Sequence, residues 1–74
     1  MKLYDEGLQV EIEKMQDGKE IFIGCGEESG FDIWKKNGFY FLFEIPQYGG
    51  EPRFTEAFPY FRVADMIDLM KTYT

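Results

Sequence analysis

The residues of this chain best suited to a chemical role are aromatic rings and carboxylates, which favour recognition. Phe22, Trp34 and Tyr40 are predicted to form one row across neighbouring strands, with Leu42 diagonal to it. Large rings supply contact area at low entropic cost and dominate interface energies. We therefore predict a partner-binding surface made of Phe22, Trp34, Tyr40, Leu42, Glu11, Glu13, Glu20 and Asp32. The alternative is that the row only stabilises a thin sheet through its cross-strand pairs.

Side chains suited to catalysis or metal binding are scarce. The chain holds no histidine, and Cys25 is its one cysteine, so no internal disulfide can form. The apolar stretch around Cys25 favours a small core residue over a reactive thiol. The adjacent carboxylates Glu27 and Glu28 lack the spacing of a calcium loop, and no candidate nucleophile has a recognisable base. We expect no enzyme activity, no cofactor and no metal site.

The composition is that of a small, acidic, folded protein. Its 74 residues are 45% hydrophobic and 19% aromatic, which argues against a disordered chain. With 14 acidic residues against 8 basic ones, the formal net charge is −6. This charge favours a protein partner with a basic surface. It argues against direct nucleic-acid binding, which needs a clustered basic face.

The sequence also predicts where the protein works. The amino terminus turns acidic at Asp5 and Glu6, unlike a signal peptide, and no apolar run reaches the length of a membrane span. Together with the single cysteine, these features predict a cytoplasmic protein without a membrane partner.

The elements that must position the row are strands. Leu8, Val10 and Ile12 alternate with polar residues, as in a half-buried strand. The pair Asp17-Gly18 is typical of a two-residue hairpin turn that follows it. Apolar segments and turn signals together predict strands over 8–15, 19–25, 31–36, 39–45 and 53–58.

The loop Gly26–Gly30 sets the register of the second and third predicted strands. It is expected to place Ile23 opposite Ile33 and Phe22 opposite Trp34. Asp17-Gly18 and this loop both keep apolar residues on one face of the sheet.

The segment 36–38, Lys-Asn-Gly, allows two registers for the next hairpin. A two-residue turn pairs Trp34 with Phe41, whereas a three-residue loop pairs Trp34 with Tyr40. We predict the three-residue loop, because it keeps the faces consistent across four strands. The inner face would then hold Leu8, Val10, Ile12, Ile21, Ile23, Cys25, Phe31, Ile33, Phe39, Phe41, Phe43 and Ile45.

A helix over 60–73 is predicted to cover that inner face. Its apolar residues recur at helical spacing and are Val63, Met66, Ile67, Met70 and Tyr73. The chain, 1–74, is thus predicted to be one α+β domain, an antiparallel meander of four to five strands with one carboxyl-terminal helix on one face. The register of 53–58 is left open by the glycines and prolines before it, and Glu44 is expected to pair with Arg53.

A resemblance rests on the whole chain, including the segment Glu44-Ile45-Pro46-Gln47-Tyr48-Gly49-Gly50-Glu51-Pro52-Arg53 between the meander and its closing helix. In size, charge and general form the chain resembles small phage-encoded inhibitors of host defence, including anti-CRISPR proteins. The resemblance implies a non-catalytic protein that binds a large nucleic-acid-processing machine, commonly through acidic residues. No individual functional residue is carried over from it.

Three functional hypotheses follow. The first is a non-catalytic inhibitor or adaptor, of phage or mobile-element type, which binds a basic surface of a nucleic-acid-processing host protein. The second is a homodimer that pairs the same face, and the third is a sheet that stacks single-stranded nucleic acid on its rings. Within the first, some acids would imitate a row of phosphates rather than only solvate the surface. These are Glu20, Glu27, Glu28, Asp32 and Glu51.

Overall fold

The computed structural model describes residues 6–26, 29–46, 48 and 50–72, except for the side chains of Glu6 and Cys25. In chain order, its elements are the helix α1 (Glu6–Glu13), the strands β1 (Glu20–Gly26), β2 (Ser29–Lys36), β3 (Phe39–Ile45) and β4 (Arg53–Pro59), a 3₁₀ turn (Tyr60–Arg62) and the helix α2 (Val63–Lys71). The strands lie in the order β1-β2-β3-β4, and each pairs antiparallel with the next. The predicted α+β meander with a carboxyl-terminal helix is confirmed, with four strands.

The first predicted strand is wrong, because residues 8–15 contain most of helix α1 instead. Ile12 is fully buried, and Leu8 and Met15 pack against the same core, whereas Val10 is 46% exposed. The buried positions therefore recur at helical spacing rather than at every second residue. The glutamates and glutamine between them are good helix formers, which supports the same outcome.

The pair Asp17-Gly18 is not a hairpin turn but part of the connection from α1 to β1. Gly18 has a φ of 85°, which a residue without a Cβ adopts at no steric cost. Its N–H donates to the carbonyl of Lys35 at 2.6 Å, and the N–H of Lys35 donates to Lys19 at 3.0 Å. The connection thus extends the β1–β2 ladder to residues before the start of β1.

The hairpin between β2 and β3 has the two-residue turn, so the predicted three-residue loop is wrong. Asn37 and Gly38 have φ values of 53° and 85°, and Lys36 pairs directly with Phe39. Positive φ at both central positions is the requirement of a type I′ turn, whose twist matches the flanking strands. The local turn chemistry therefore decides the register, and Trp34 pairs with Phe41.

The β1–β2 register differs from the predicted one by two residues, which preserves the faces. Ile21 pairs with Ile33, and Ile23 pairs with Phe31. The strands continue as far as the pair Gly26 and Ser29, with an irregularity between Gly24 and Gly26. The connection is therefore shorter than the predicted loop, and Glu27 and Glu28 lie outside the described residues.

Both helices cover one face of the sheet, which we call the inner face. Strand residues and helix residues form one buried apolar cluster there: Ile12, Ile23, Phe31, Ile33, Tyr40, Leu42, Phe58, Val63, Met66, Ile67 and Met70. The predicted helical spacing of Val63, Met66, Ile67 and Met70 is confirmed, while Tyr73 lies outside the described residues. Burial of this cluster supplies the main stabilisation of the fold.

The parity of β3, that is, which alternate side chains face the core, is opposite to the predicted one. Tyr40 and Leu42 point into the core, whereas Phe39, Phe41 and Phe43 occupy the other face. This inversion follows from the two-residue turn, since a shift of one residue moves every side chain of a strand to the opposite face.

Candidate binding face of the sheet

The face opposite the helices, here called the outer face, carries six aromatic side chains of the described residues. Cross-strand partners share a face, so the pairings place Trp34 beside Phe41, and Phe43 beside both Asp32 and Phe54. The six rings are those of Phe22, Trp34, Phe39, Phe41, Phe43 and Phe54. Within the described part of the chain, neither helix packs on them.

Two pairs of these rings are in contact, one across neighbouring strands and one along a strand. The ring centres of Phe43 and Phe54 lie 5.6 Å apart in an edge-to-face arrangement. Phe39 and Phe41 lie along β3 with their centres 6.3 Å apart. Such pairs contribute about 0.5–1.5 kcal/mol beyond their buried area. We call the six rings together the aromatic layer of the outer face; within it, these two pairs are in contact.

Phe22 is held by a pair of glycines. Gly24 and Gly30 face each other across β1 and β2, and a Cβ on Gly30 would lie 3.0 Å from Cε1 and Cζ of Phe22. A Cβ on Gly24 would lie 3.3 Å from Cε2 of the same ring. The ring thus covers the space that the glycines leave, an arrangement that stabilises glycine in strands. It remains 55% exposed on its other side.

The structure brings together four of the eight predicted site residues. Phe22 and Trp34 lie on the outer face, and their cross-strand partners are Asp32 and Glu20 respectively. In each of these two pairs, an acidic side chain on one strand therefore lies beside an aromatic ring on the other. Trp34 is 40% exposed, so the indole is not covered by α2.

The other four predicted site residues lie elsewhere, and their assignment to this face is wrong. Tyr40 and Leu42 are buried beneath the helices because of the parity of β3. Glu11 and Glu13 belong to α1, whose Ile12 packs in the buried cluster on the inner face. The rings that sequence reasoning missed are Phe39, Phe41, Phe43 and Phe54. The Asn-Gly signal could have identified the three on β3, since it specifies a two-residue turn.

A group of polar side chains at one end of the sheet has a structural role. Asp17 Oδ1 accepts the backbone N–H of Asn37 at 3.0 Å and the hydroxyl of Tyr60 at 3.0 Å. Lys35 Nζ donates to the carbonyl of Met15 at 2.6 Å and lies 4.7 Å from the ring centre of Tyr60. These contacts fasten the α1–β1 connection to the β2–β3 turn.

The pKa values of two tyrosines in this region, Tyr60 and Tyr40, are raised. Burial raises the pKa of Tyr60, and the hydrogen bond to Asp17 together with its charge acts in the same direction, against a smaller backbone effect of Gly38. Burial also raises the pKa of Tyr40, followed by the negative charge of Glu13. Both shifts favour the neutral phenol. At neutral pH both hydroxyls are therefore hydrogen-bond donors rather than bases.

The remaining polar side chains add little to stability or to a candidate site. The predicted ion pair of Glu44 and Arg53 is confirmed at 3.9 Å, but its exposure makes it weak. Among the described residues, no three histidine, cysteine or acidic side chains lie close enough to share a metal ion. No helix in this part of the chain is long and apolar enough to span a bilayer.

Comparisons with protein-family models, curated proteins and solved structures find no match for this chain.

Proposed function

We propose that this protein is a non-catalytic binding protein that inhibits or adapts a larger protein partner through its outer face. The observation that carries the proposal is the aromatic layer of Phe22, Trp34, Phe39, Phe41, Phe43 and Phe54 on a sheet face that neither helix covers. Large exposed apolar patches are uncommon on soluble monomers and mark interaction sites.

The difference in burial between the two faces of the sheet supports this function. The inner face holds the buried cluster and both helices, so the fold has its core without the outer rings. Phe54 is 58% exposed at the edge strand β4, although a phenylalanine gains most from full burial. Exposed rings of this kind are what a partner buries in the centre of an interface, where few residues supply most of the affinity.

The charge of the chain indicates the kind of partner. A net charge of −6 favours association with a basic protein surface and accelerates encounter at low salt. The more specific form of the proposal is an inhibitor of a nucleic-acid-processing host protein, encoded by a phage or mobile element and similar in form to anti-CRISPR proteins. That form rests on the size, charge and shape of the chain.

The test is binding by matched aromatic variants. The tagged chain would be used to capture partners from an extract of the encoding organism, and affinities for the purified partner would then be measured by calorimetry. The double variant Trp34→Ala/Phe54→Ala should lose about 700-fold in affinity, since two aromatic anchors at about 2 kcal/mol each supply about 4 kcal/mol. Phe61→Ala is the control, because Phe61 is 85% exposed on the 3₁₀ turn outside the sheet.

Three results would contradict the proposal. Equal partner binding by the double variant and the control, with both still folded by circular dichroism, would remove the outer face from the contact. A dimer that resists dilution in sedimentation, with a blue-shifted emission of Trp34, would favour self-assembly. Binding to single-stranded oligonucleotides at physiological salt would favour base stacking on the rings.

A further inference from the structure

Asp32 lies in the middle of the aromatic layer of the outer face. On β2 it stands between Phe22 of β1 and Phe43 of β3, and Trp34 follows two residues later on the same face. Directly opposite side chains in a sheet have Cβ atoms about 4.5–5.5 Å apart. The half-buried carboxylate therefore has aromatic neighbours on three sides.

In the part of the chain that the structure describes, no cation lies close to this carboxylate. Among the described residues, Asp32 has neither an ion pair nor a side-chain hydrogen bond. The two arginines pair elsewhere, Arg53 with Glu44 and Arg62 with Asp65. Lys36 lies on the same strand and face, but about 13 Å away at the rise of a strand. A partner that covered the layer without a cation would bury an uncompensated charge, which is strongly unfavourable.

We infer that the outer face accepts an arginine side chain of the protein partner, with its guanidinium on Asp32 and its plane against Phe22 and Phe43. This inference rests on the proposed function and adds the chemistry of the contact. The planar guanidinium can donate two parallel hydrogen bonds to a carboxylate and stack on aromatic rings at once. A lysine ammonium is more strongly hydrated and lacks the flat surface.

The rings beside Asp32 are already positioned for this contact. Phe22 rests over Gly24 and Gly30, and Phe43 is held edge-to-face by Phe54 at 5.6 Å. Little side-chain freedom is then lost when the guanidinium binds, which favours affinity.

A second copy of the chain fits this position less well than a basic partner does. Of the copy's two arginines, Arg62 pairs with Asp65 at 2.7 Å, whereas Arg53 has only the weak, exposed pair with Glu44. The copy would also bring its own Asp32 and Glu20 toward this face, and like charges repel across an interface. The expected occupant is therefore a different protein that presents an arginine.

The test uses capped glycine–arginine–glycine peptide as the probe, with the lysine and citrulline peptides as matched probes. Amide shifts of the ¹⁵N-labelled chain would be followed during titration to millimolar peptide. Arginine should shift the amides of Phe22, Asp32 and Phe43, whereas citrulline, which has no charge, should not. Asp32→Asn should weaken this binding about tenfold or more. Asp68→Asn removes the same charge on the exposed side of α2 and should leave the binding unchanged.

Several outcomes would overturn the inference: no shift at these amides, equal shifts with the lysine peptide, or equal effects of Asp32→Asn and Asp68→Asn. The purified partner separates this inference from the proposed function. If Trp34→Ala/Phe54→Ala abolishes partner binding but Asp32→Asn does not weaken it, only the arginine contact is wrong. If Trp34→Ala/Phe54→Ala leaves partner binding at full strength, the proposed function is wrong.

Discussion

Replacing Gly30 by alanine tests the close approach of β1 and β2 beneath Phe22. A Cβ at this position would overlap the backbone carbonyl oxygen of Ile23, and it would also lie 3.0 Å from two ring atoms of Phe22. The ring can rotate away, but the oxygen belongs to the neighbouring strand. The variant therefore fits only if β1 and β2 separate locally or the register changes.

The expected cost follows from that overlap. Inserting one carbon into a packed site costs about 1–3 kcal/mol, and a backbone obstacle places Gly30→Ala at the upper end. A domain of this size has a total stability of about 4–11 kcal/mol, so the variant should still fold at low temperature. At about 4–8 °C per kcal/mol, its melting temperature should fall by about 12–24 °C.

Thermal and urea unfolding, followed by circular dichroism, would measure this cost. Gly24→Ala is the matched control, since its Cβ meets only the tip of the Phe22 ring at 3.3 Å. It should change the free energy of unfolding by less than about 1 kcal/mol. If the two variants have the same stability, β1 does not approach Gly30 as closely as described, and the position described for the Phe22 ring over Gly24 and Gly30 is wrong.

Two further predictions concern the cluster of tyrosines and the two faces. Because the folded pKa values of Tyr40 and Tyr60 are raised, their contribution to stability is present below about pH 10 and lost as the pH rises through the folded values. Unfolding of the double Tyr→Phe variant should therefore depend less on pH above 10, and an unchanged slope would contradict the shifts. Leu42→Ala, in the core, should cost about 2–5 kcal/mol. Phe54→Ala, on the outer face, should cost only about 0.5–1.5 kcal/mol, and equal losses in urea unfolding would make the outer rings structural.

Much of the sheet and the last helix could be predicted from local patterns. The strands β1 to β4 coincide with apolar segments separated by glycine-rich or proline-containing turns. The helix α2 has its buried residues at helical spacing, and Asp65 and Asp68 lie on its exposed side. These features depend on residues close in sequence, so they can be recognised without knowledge of the tertiary contacts.

The amino-terminal helix was missed because a short apolar pattern can satisfy two periods. Leu8, Val10 and Ile12 alternate as in a strand, but Leu8, Ile12 and Met15 also share one face of a helix. The buried side of α2 supplies tertiary contacts that favour the second arrangement. The high helix propensity of the intervening glutamates was the feature of the sequence that favoured a helix over a strand.

The candidate site was partly predictable for a related reason. Phe22, Trp34, Glu20 and Asp32 were assigned to the outer face correctly, since the two-residue offset between β1 and β2 preserves parity. Parity across Asn37 and Gly38 was not preserved. The three-residue loop was predicted there because it keeps the faces consistent across four strands, but the geometry of the two-residue turn proved decisive.

The neighbour-to-neighbour order of the strands has a consequence for how the chain folds. Each strand finds its partner immediately before or after it in sequence, so the ladders form with small losses of loop entropy and no crossover. Contact between α1 and α2, in contrast, joins segments from opposite ends of the described chain. We expect hairpins to form early around the Asn37-Gly38 turn, and docking of the two helices to complete folding late.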